Sequence, residues 1–250
     1  MNSTALIENT AQDFWMSAGG MPCYPCDIKM AIILTLPLEL YAIAELRVSH
    51  VREWARRVRV LLHIGGHDRR LHGCLIADRG KGTLFYDTQD PDDEQHFTLA
   101  HELAHFLLDY QAPRQRAIRA LGSSILPVLD GERLPTLEER LHAALSTVHL
   151  GTLSHFMERP DEGLPTNAIL DIEDRADQLA LELLAPALPL YELMHRVNVR
   201  DGFNARLQFL TQHLLTTYGL PSAVATDYAR YILHELGEPT FRDWLFGSAK

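Results

Sequence analysis

The chain has 250 residues, 46% of them hydrophobic, with a formal net charge of −10 at pH 7. That length buries a large core, in one domain or one with an appended subdomain, and the acidic balance argues against a nucleic-acid-binding surface as its main business. Met1-Asn2-Ser3-Thr4-Ala5 lacks the features of a secretory leader, the most apolar run (residues 30–40) is short and broken by Thr35, Pro37 and Glu39, and three cysteines suit a reducing compartment, so a cytoplasmic protein with no membrane attachment is expected.

Residues 4–18 read as a helix stopped by Gly19-Gly20. Cys23-Tyr24-Pro25-Cys26 is a C-x-x-C, but a zinc site would need two further ligands and Cys74 is the only other thiol. Two structural cysteines are the plainer reading. A second helix begins near Pro25 and ends before Pro37. Residues 38–46 are ambiguous, with a strand as one option, and Ser49 caps a short helix to Arg57 with Trp54 inward. Three strands follow, at 58–64, 71–77 and 83–87, the last two joined through Arg79-Gly80-Lys81-Gly82 as a hairpin. His63, His67, His72 and His96 lie near this region without regular ligand spacing and read as structural or surface groups.

The helix after the strands carries the most informative residues. Asp90-Pro91-Asp92-Asp93 looks like its N-cap and acidic first turn. Within it runs Phe97-Thr98-Leu99-Ala100-His101-Glu102-Leu103-Ala104-His105-Phe106-Leu107-Leu108. Histidines four apart on a helix face one way and can share one metal ion. Glu102, about 100° round the helix from His101, reaches a metal-bound water rather than the metal, which is metalloprotease geometry.

Residues 111–170 form a long connection, with helices expected at 113–121 and from the Thr136-Leu137-Glu138-Glu139 capping box; Gly151, Gly163 and Pro165 break the rest. Because both ends of this connection lie near the motif helix and its partner, it is expected to wall or lid the cleft. A surface or core role is the plainer reading for each of its histidines, His142, His149 and His155. His155, in the segment leading back to the next motif, is the candidate oxyanion donor.

That next motif is Glu173-Asp174-Arg175-Ala176-Asp177-Gln178-Leu179-Ala180-Leu181-Glu182-Leu183-Leu184. Ala176, Leu179, Ala180, Leu183 and Leu184 make an apolar helical stripe, and Glu173 and Asp177 lie on one line that extends it. Acids on a buried face need partners: a metal for Glu173 and a histidine ring N–H for Asp177 would serve. The alternative is two surface acids favouring a helix dipole. Glu182 lies off the line and is expected to be solvated. Farther on, helices 205–218 and 222–236 end at Gly219 and Gly237 in a helix-turn-helix-like pair whose second member carries only Arg230 as a strong base, so it reads as packing or protein recognition.

Taken together, the two motifs resemble those of the ImmA/IrrE-like bacterial zinc metallopeptidases, over about residues 25–235. The order H-E-x-x-H then E-x-x-x-D is also similar to the gluzincins. Arg175, Leu179 and Ala185 depart from the family's usual glutamate, aromatic and methionine, and the connection between the motifs is unusually long. The resemblance implies an α+β, zincin-like fold, mostly helical, with a small, about three-stranded sheet preceding the H-E-x-x-H helix. It implies a metallopeptidase domain over residues 1–200 with an insertion at 111–170, and a helical subdomain over 201–250. It further implies His101, His105 and Glu173 as ligands of one Zn2+ per chain (Mn2+ or Fe2+ being substitutes in vivo), Glu102 as general base, and Asp177 orienting a zinc histidine. By analogy with gluzincins, Gly82, Thr83, Leu84, Phe85 and Tyr86 would form a substrate-pairing edge strand; an ordinary buried hairpin is the alternative. The family's substrate class would be a helix-turn-helix transcriptional repressor whose cleavage induces a stress response. Two other readings stand beside this: a zinc-binding regulatory protein without proteolysis, against which intact Glu102 argues, and a transcription regulator acting through its C-terminal helices, against which the acidic balance argues.

Overall fold

The computed structural model describes residues 3–62, 66–145, 151–159, 167–196 and 202–237. In chain order its elements are α1 (Ser3–Ser17), α2 (Ile28–Thr35), β1 (Leu38–Ile43), α3 (Val48–Val58), β2 (Leu71–Asp78), β3 (Lys81–Asp87), α4 (Asp92–His105), α5 (Ala112–Leu121), α6 (Leu126–Leu129), α7 (Leu137–Leu145), β4 (Leu153–Glu158), α8 (Asn167–Leu184), α9 (Ala187–Arg196), α10 (Phe203–His213) and α11 (Ser222–Glu235). The chain divides into two units, residues 1–21 with 28–180, and residues 22–27 with 181–250.

The first unit is α+β and zincin-like, mostly helical around one small mixed sheet. The sheet has four strands in the order β1-β3-β2-β4. β1 runs parallel to β3, whereas β2 is antiparallel to both β3 and β4. Three strands, β1, β2 and β3, precede the motif helix as expected, but two details differ from the reading of the residues. Residues 58–62, the described part of the expected strand at 58–64, supply none: Val58 closes α3, and Val60 and Leu62 pack on the core beside it, so their apolar alternation reflects burial rather than pairing; residues 63–65 lie outside the described residues. The fourth strand, β4, comes from the long connection, after the motif helix.

Side-chain alternation gives the sheet two different faces. Cys74, Ile76 and Phe85 point to one side and bury with Leu46, Leu71 and the inner face of α3, Val48 and Val51; Trp54 and Phe156 pack against this cluster. On the opposite parity, Leu75 pairs with Leu84, both fully buried. Here α4 lies against β2 and β3. Gly73 permits the approach: a β-carbon on it would lie 2.5 Å from Thr98 Cγ2. By register His155 stands opposite Leu75 and Phe156 opposite Cys74, so the same alternation sends Phe156 to the α3 side and His155 to the α4 side.

Gly82, Thr83, Leu84, Phe85 and Tyr86 all lie in β3, which is bonded to β1 on one side and β2 on the other. The substrate-edge expectation for these five residues is therefore corrected. With both edges occupied, no backbone donors or acceptors remain for an added strand. The misreading arose because β1, the ambiguous segment, takes the edge.

After His105 the helix widens into a π-helical turn, Phe106–Gln111, before continuing as α5. In the second unit, α11 buries Ala225, Tyr228, Ala229, Ile232 and Leu233, and the Tyr228 hydroxyl donates to the Ala185 carbonyl at 3.0 Å. Tyr24 and Tyr218 rings meet at 4.9 Å. Arg230 is engaged locally by Asp227 at 2.8 Å, and Glu182, expected to be solvated, accepts from the Ala187 N–H at 3.1 Å. Among the described residues no helix is long and apolar enough to cross a membrane.

Candidate metal centre

His101, Glu102 and His105 occupy the last turns of α4 and are 3%, 0% and 2% exposed. α8 brings Glu173 to them from the next motif, and β4 brings His155. One donor atom from each of His101, His105, His155 and Glu173 lies within 4.8 Å of all the others.

The hydrogen-bond partners decide the tautomers. Nδ1 of His101 lies 2.8 Å from Asp177 Oδ1, and Nδ1 of His105 lies 2.8 Å from Asp109 Oδ2. A carboxylate only accepts, so each Nδ1 carries the proton and each neutral ring turns the lone pair of Nε2 inward. The two Nε2 atoms are 3.1 Å apart, and Glu173 Oε2 lies 3.3 Å from one and 3.7 Å from the other. Two lone pairs and a carboxylate converging on one point repel unless a cation sits among them. With metal–donor bonds of about 2.1 Å, the edge of a tetrahedral zinc site is roughly 3.4 Å. The residues present therefore fit a small divalent ion.

Electrostatics without the ion tell the same story. Burial works against a charge on His101, but its hydrogen bonds to Asp177 and Glu173 and the charge of Glu102 outweigh this and raise its pKa to about 9. Burial likewise opposes protonation of His155, yet the adjacent Glu102 and then Glu173 lift it to about 10. Burial pushes Glu173 up, while hydrogen bonds from His101, His105 and His155 hold it well below the usual carboxylate range. The cluster is rich in negative charge and binds protons when no metal competes for its donors.

Asp177 reaches His101 although its own side chain is 51% exposed. The expected reason, an acid stranded on a buried face, is therefore replaced: the carboxylate is held by the ring it meets. Asp109 was not anticipated. It stands one turn after His105, a spacing that helix geometry alone would have flagged, and Arg175 holds its other oxygen at 3.2 Å. Arg175, a departure from the family pattern, thus ties α8 to the carboxylate behind His105.

Glu102 lies beneath Gly73. Its Oε2 is 2.9 Å from His155 Nδ1, whereas its Oε1 is buried without a hydrogen-bond partner. His155 Nε2 lies 3.0 Å from Glu173 Oε1, so both ring nitrogens of His155 are engaged. His149 lies outside the described residues, as does the side chain of His142. A second group, His72, Asp90 and Glu94, also gathers potential donors. There His72 bonds Asp90 at 2.7 Å and Arg159 meets Asp90 at 2.7 Å and Asp87 at 3.0 Å, an ion-pair network that already compensates the buried acids. Asp90 serves this network rather than capping α4, whose N-cap is Pro91 with no side-chain cap bond.

Residues 33–124 match the family model described as the IrrE N-terminal-like domain, Peptidase_M78. The matched stretch takes in β1 to α5 and thus His101, Glu102 and His105. No curated protein gives a significant match to the chain.

Proposed function

We propose that this chain, whose residues 33–124 match the IrrE N-terminal-like domain model, is a zinc-dependent endopeptidase that cuts a regulatory protein. The observation that carries the reading is the convergence of His101 Nε2, His105 Nε2 and Glu173 Oε2 beside a buried carboxylate, Glu102. His101, His105 and Glu173 would hold the ion; manganese or iron would suit the same donors, since affinity order alone does not choose the occupant. When bound, the ion supplies Lewis acidity, polarising a peptide carbonyl and acidifying water. Glu102 takes the proton of the attacking water and passes it to the leaving amine. Asp177 and Asp109 fix the ring orientation and tautomer of the two histidines.

The substrate we infer is a helix-turn-helix transcriptional repressor in the cytoplasm. Support for it comes from the likeness to that family alone. The test has two arms. Elemental analysis should find about one zinc per chain, lost in His105→Ala; full occupancy in that variant would refute the ligand set. Glu102→Gln should keep the metal and the fold while failing to cut a helix-turn-helix repressor that the parent protein cuts. Cutting at the parent rate would remove Glu102 from the chemistry.

A further inference from the structure

His155 is held much as the two motif histidines are. In His101, His105 and His155 alike, Nδ1 faces a carboxylate, respectively Asp177, Asp109 and Glu102, at 2.8, 2.8 and 2.9 Å. Opposite it, Nε2 turns toward Glu173: those of His101 and His105 lie 3.3 and 3.7 Å from Oε2, and that of His155 lies 3.0 Å from Oε1. A ring N–H given to a carboxylate is the usual support of a metal-ligating histidine, because it fixes the tautomer and raises the basicity of the other nitrogen. The His155 ring stacks on that of His105, with centroids 3.7 Å apart; as ligands of one tetrahedral ion the two rings would stand roughly 5 Å apart, so metal loading must open this stack.

We infer that His155 is a fourth protein ligand of the same metal, closing its coordination in the resting protein and making the enzyme latent. The inference rests on His101, His105 and Glu173 being ligands. A catalytic zinc site keeps one position for solvent, whereas a site with four protein ligands is closed. His155 would fill that position and at the same time occupy Glu102, the carboxylate that must take a proton from water. An oxyanion donor, by contrast, needs a free N–H directed at substrate, and neither ring nitrogen of His155 is free.

β4 is built to hold this latch. At its start the Thr152 hydroxyl donates to Asp78 Oδ1 at 3.0 Å. At its end Glu158 pairs with Arg69, and Arg159 reaches the buried Asp87 and Asp90. Opening the site therefore requires β4 to shift, or the His155 side chain to rotate away, when substrate arrives.

X-ray absorption on the zinc-loaded, full-length wild-type protein counts imidazoles directly and needs no variant. Three are expected; two would overturn the proposal while leaving the peptidase reading intact. In His155→Ala the count should fall to two, zinc affinity measured against a competing chelator should weaken at least tenfold, and cleavage by the loaded enzyme should rise. An unchanged count, or a loss of cleavage at unchanged count, would place His155 outside the coordination shell and overturn the latch. Loss of the peptidase reading itself would show differently, as metal retained in His105→Ala.

Discussion

Alanine at position 73 is the sharpest probe of how the sheet sets the site. Its methyl carbon would lie 2.5 Å from Thr98 Cγ2 and 3.3 Å from both Cγ and Oε1 of Glu102. Ordinary carbon–carbon contact is about 3.5–4.0 Å, so α4 and β2 must part by roughly 1 Å. Overpacking of this kind costs about 1–3 kcal/mol, and a 1 Å displacement of reacting groups costs about 100-fold in rate. Gly73 does not have positive φ, so alanine introduces no backbone strain and the whole effect is contact. Urea unfolding at constant slope should show the loss of stability, and a cleavage assay the larger loss of rate. Thr98→Ser removes the clashing methyl. The double variant should therefore recover most of the stability, with a coupling of about 1 kcal/mol or more, and much of the rate, because only the milder 3.3 Å contacts to Glu102 remain. Additive stabilities, or Gly73→Ala with parent-like stability and rate, would refute the reasoning.

Other expectations concern the carboxylates behind the histidines and the thiols. Asp177→Ala should weaken zinc affinity or activity by about 10–100-fold without unfolding the chain, and Asp177→Asn less, since its carbonyl still accepts from His101; chelator competition measures both, and parent-like affinity in the alanine variant would remove Asp177 from the site. Arg175→Ala should lower affinity by a smaller factor than Asp109→Ala, because the Arg175–Asp109 pair is partly exposed and exposed pairs contribute little; the reverse order would show that Arg175 acts otherwise. Burial pushes the Cys26 thiol up to about 12 and Cys74 well above its ordinary value, while Cys23 is exposed. Alkylation of the native protein at pH 8 should therefore modify Cys23 alone, with all three reacting after denaturation.

What could be read from the residues was local, and what could not was pairing at a distance. His101, Glu102 and His105 declare themselves because helical spacing dictates that they share a region of one helix. Glu173 and Asp177 follow from the same rule on a second helix, and the structure brings both to the motif histidines. β4 was illegible because Leu153–Glu158, close to Gly151, becomes a strand only by bonding to β2, and nothing within those six residues announces that partner. The same blindness put Gly82–Tyr86 at an edge. Asp109 was within reach of the spacing rule and was passed over. Asp90 shows the opposite failure: its local context is that of an N-cap, and a tertiary network with His72 and Arg159 claims it instead.

The lateness of β4 in the chain has a consequence for biosynthesis. About 70 residues separate the end of β3 from the end of β4, which at about 5–20 residues per second amounts to roughly 4–14 s of translation. Throughout that interval the outer edge of β2 has no neighbour, and β2 is an almost wholly buried, apolar strand of the kind that recruits other chains when left open. A nascent chain stalled before residue 158 would thus hold half a metal centre beside an adhesive strand; the segment bearing His155 covers that strand first, and the metal centre is completed only when α8 delivers Glu173.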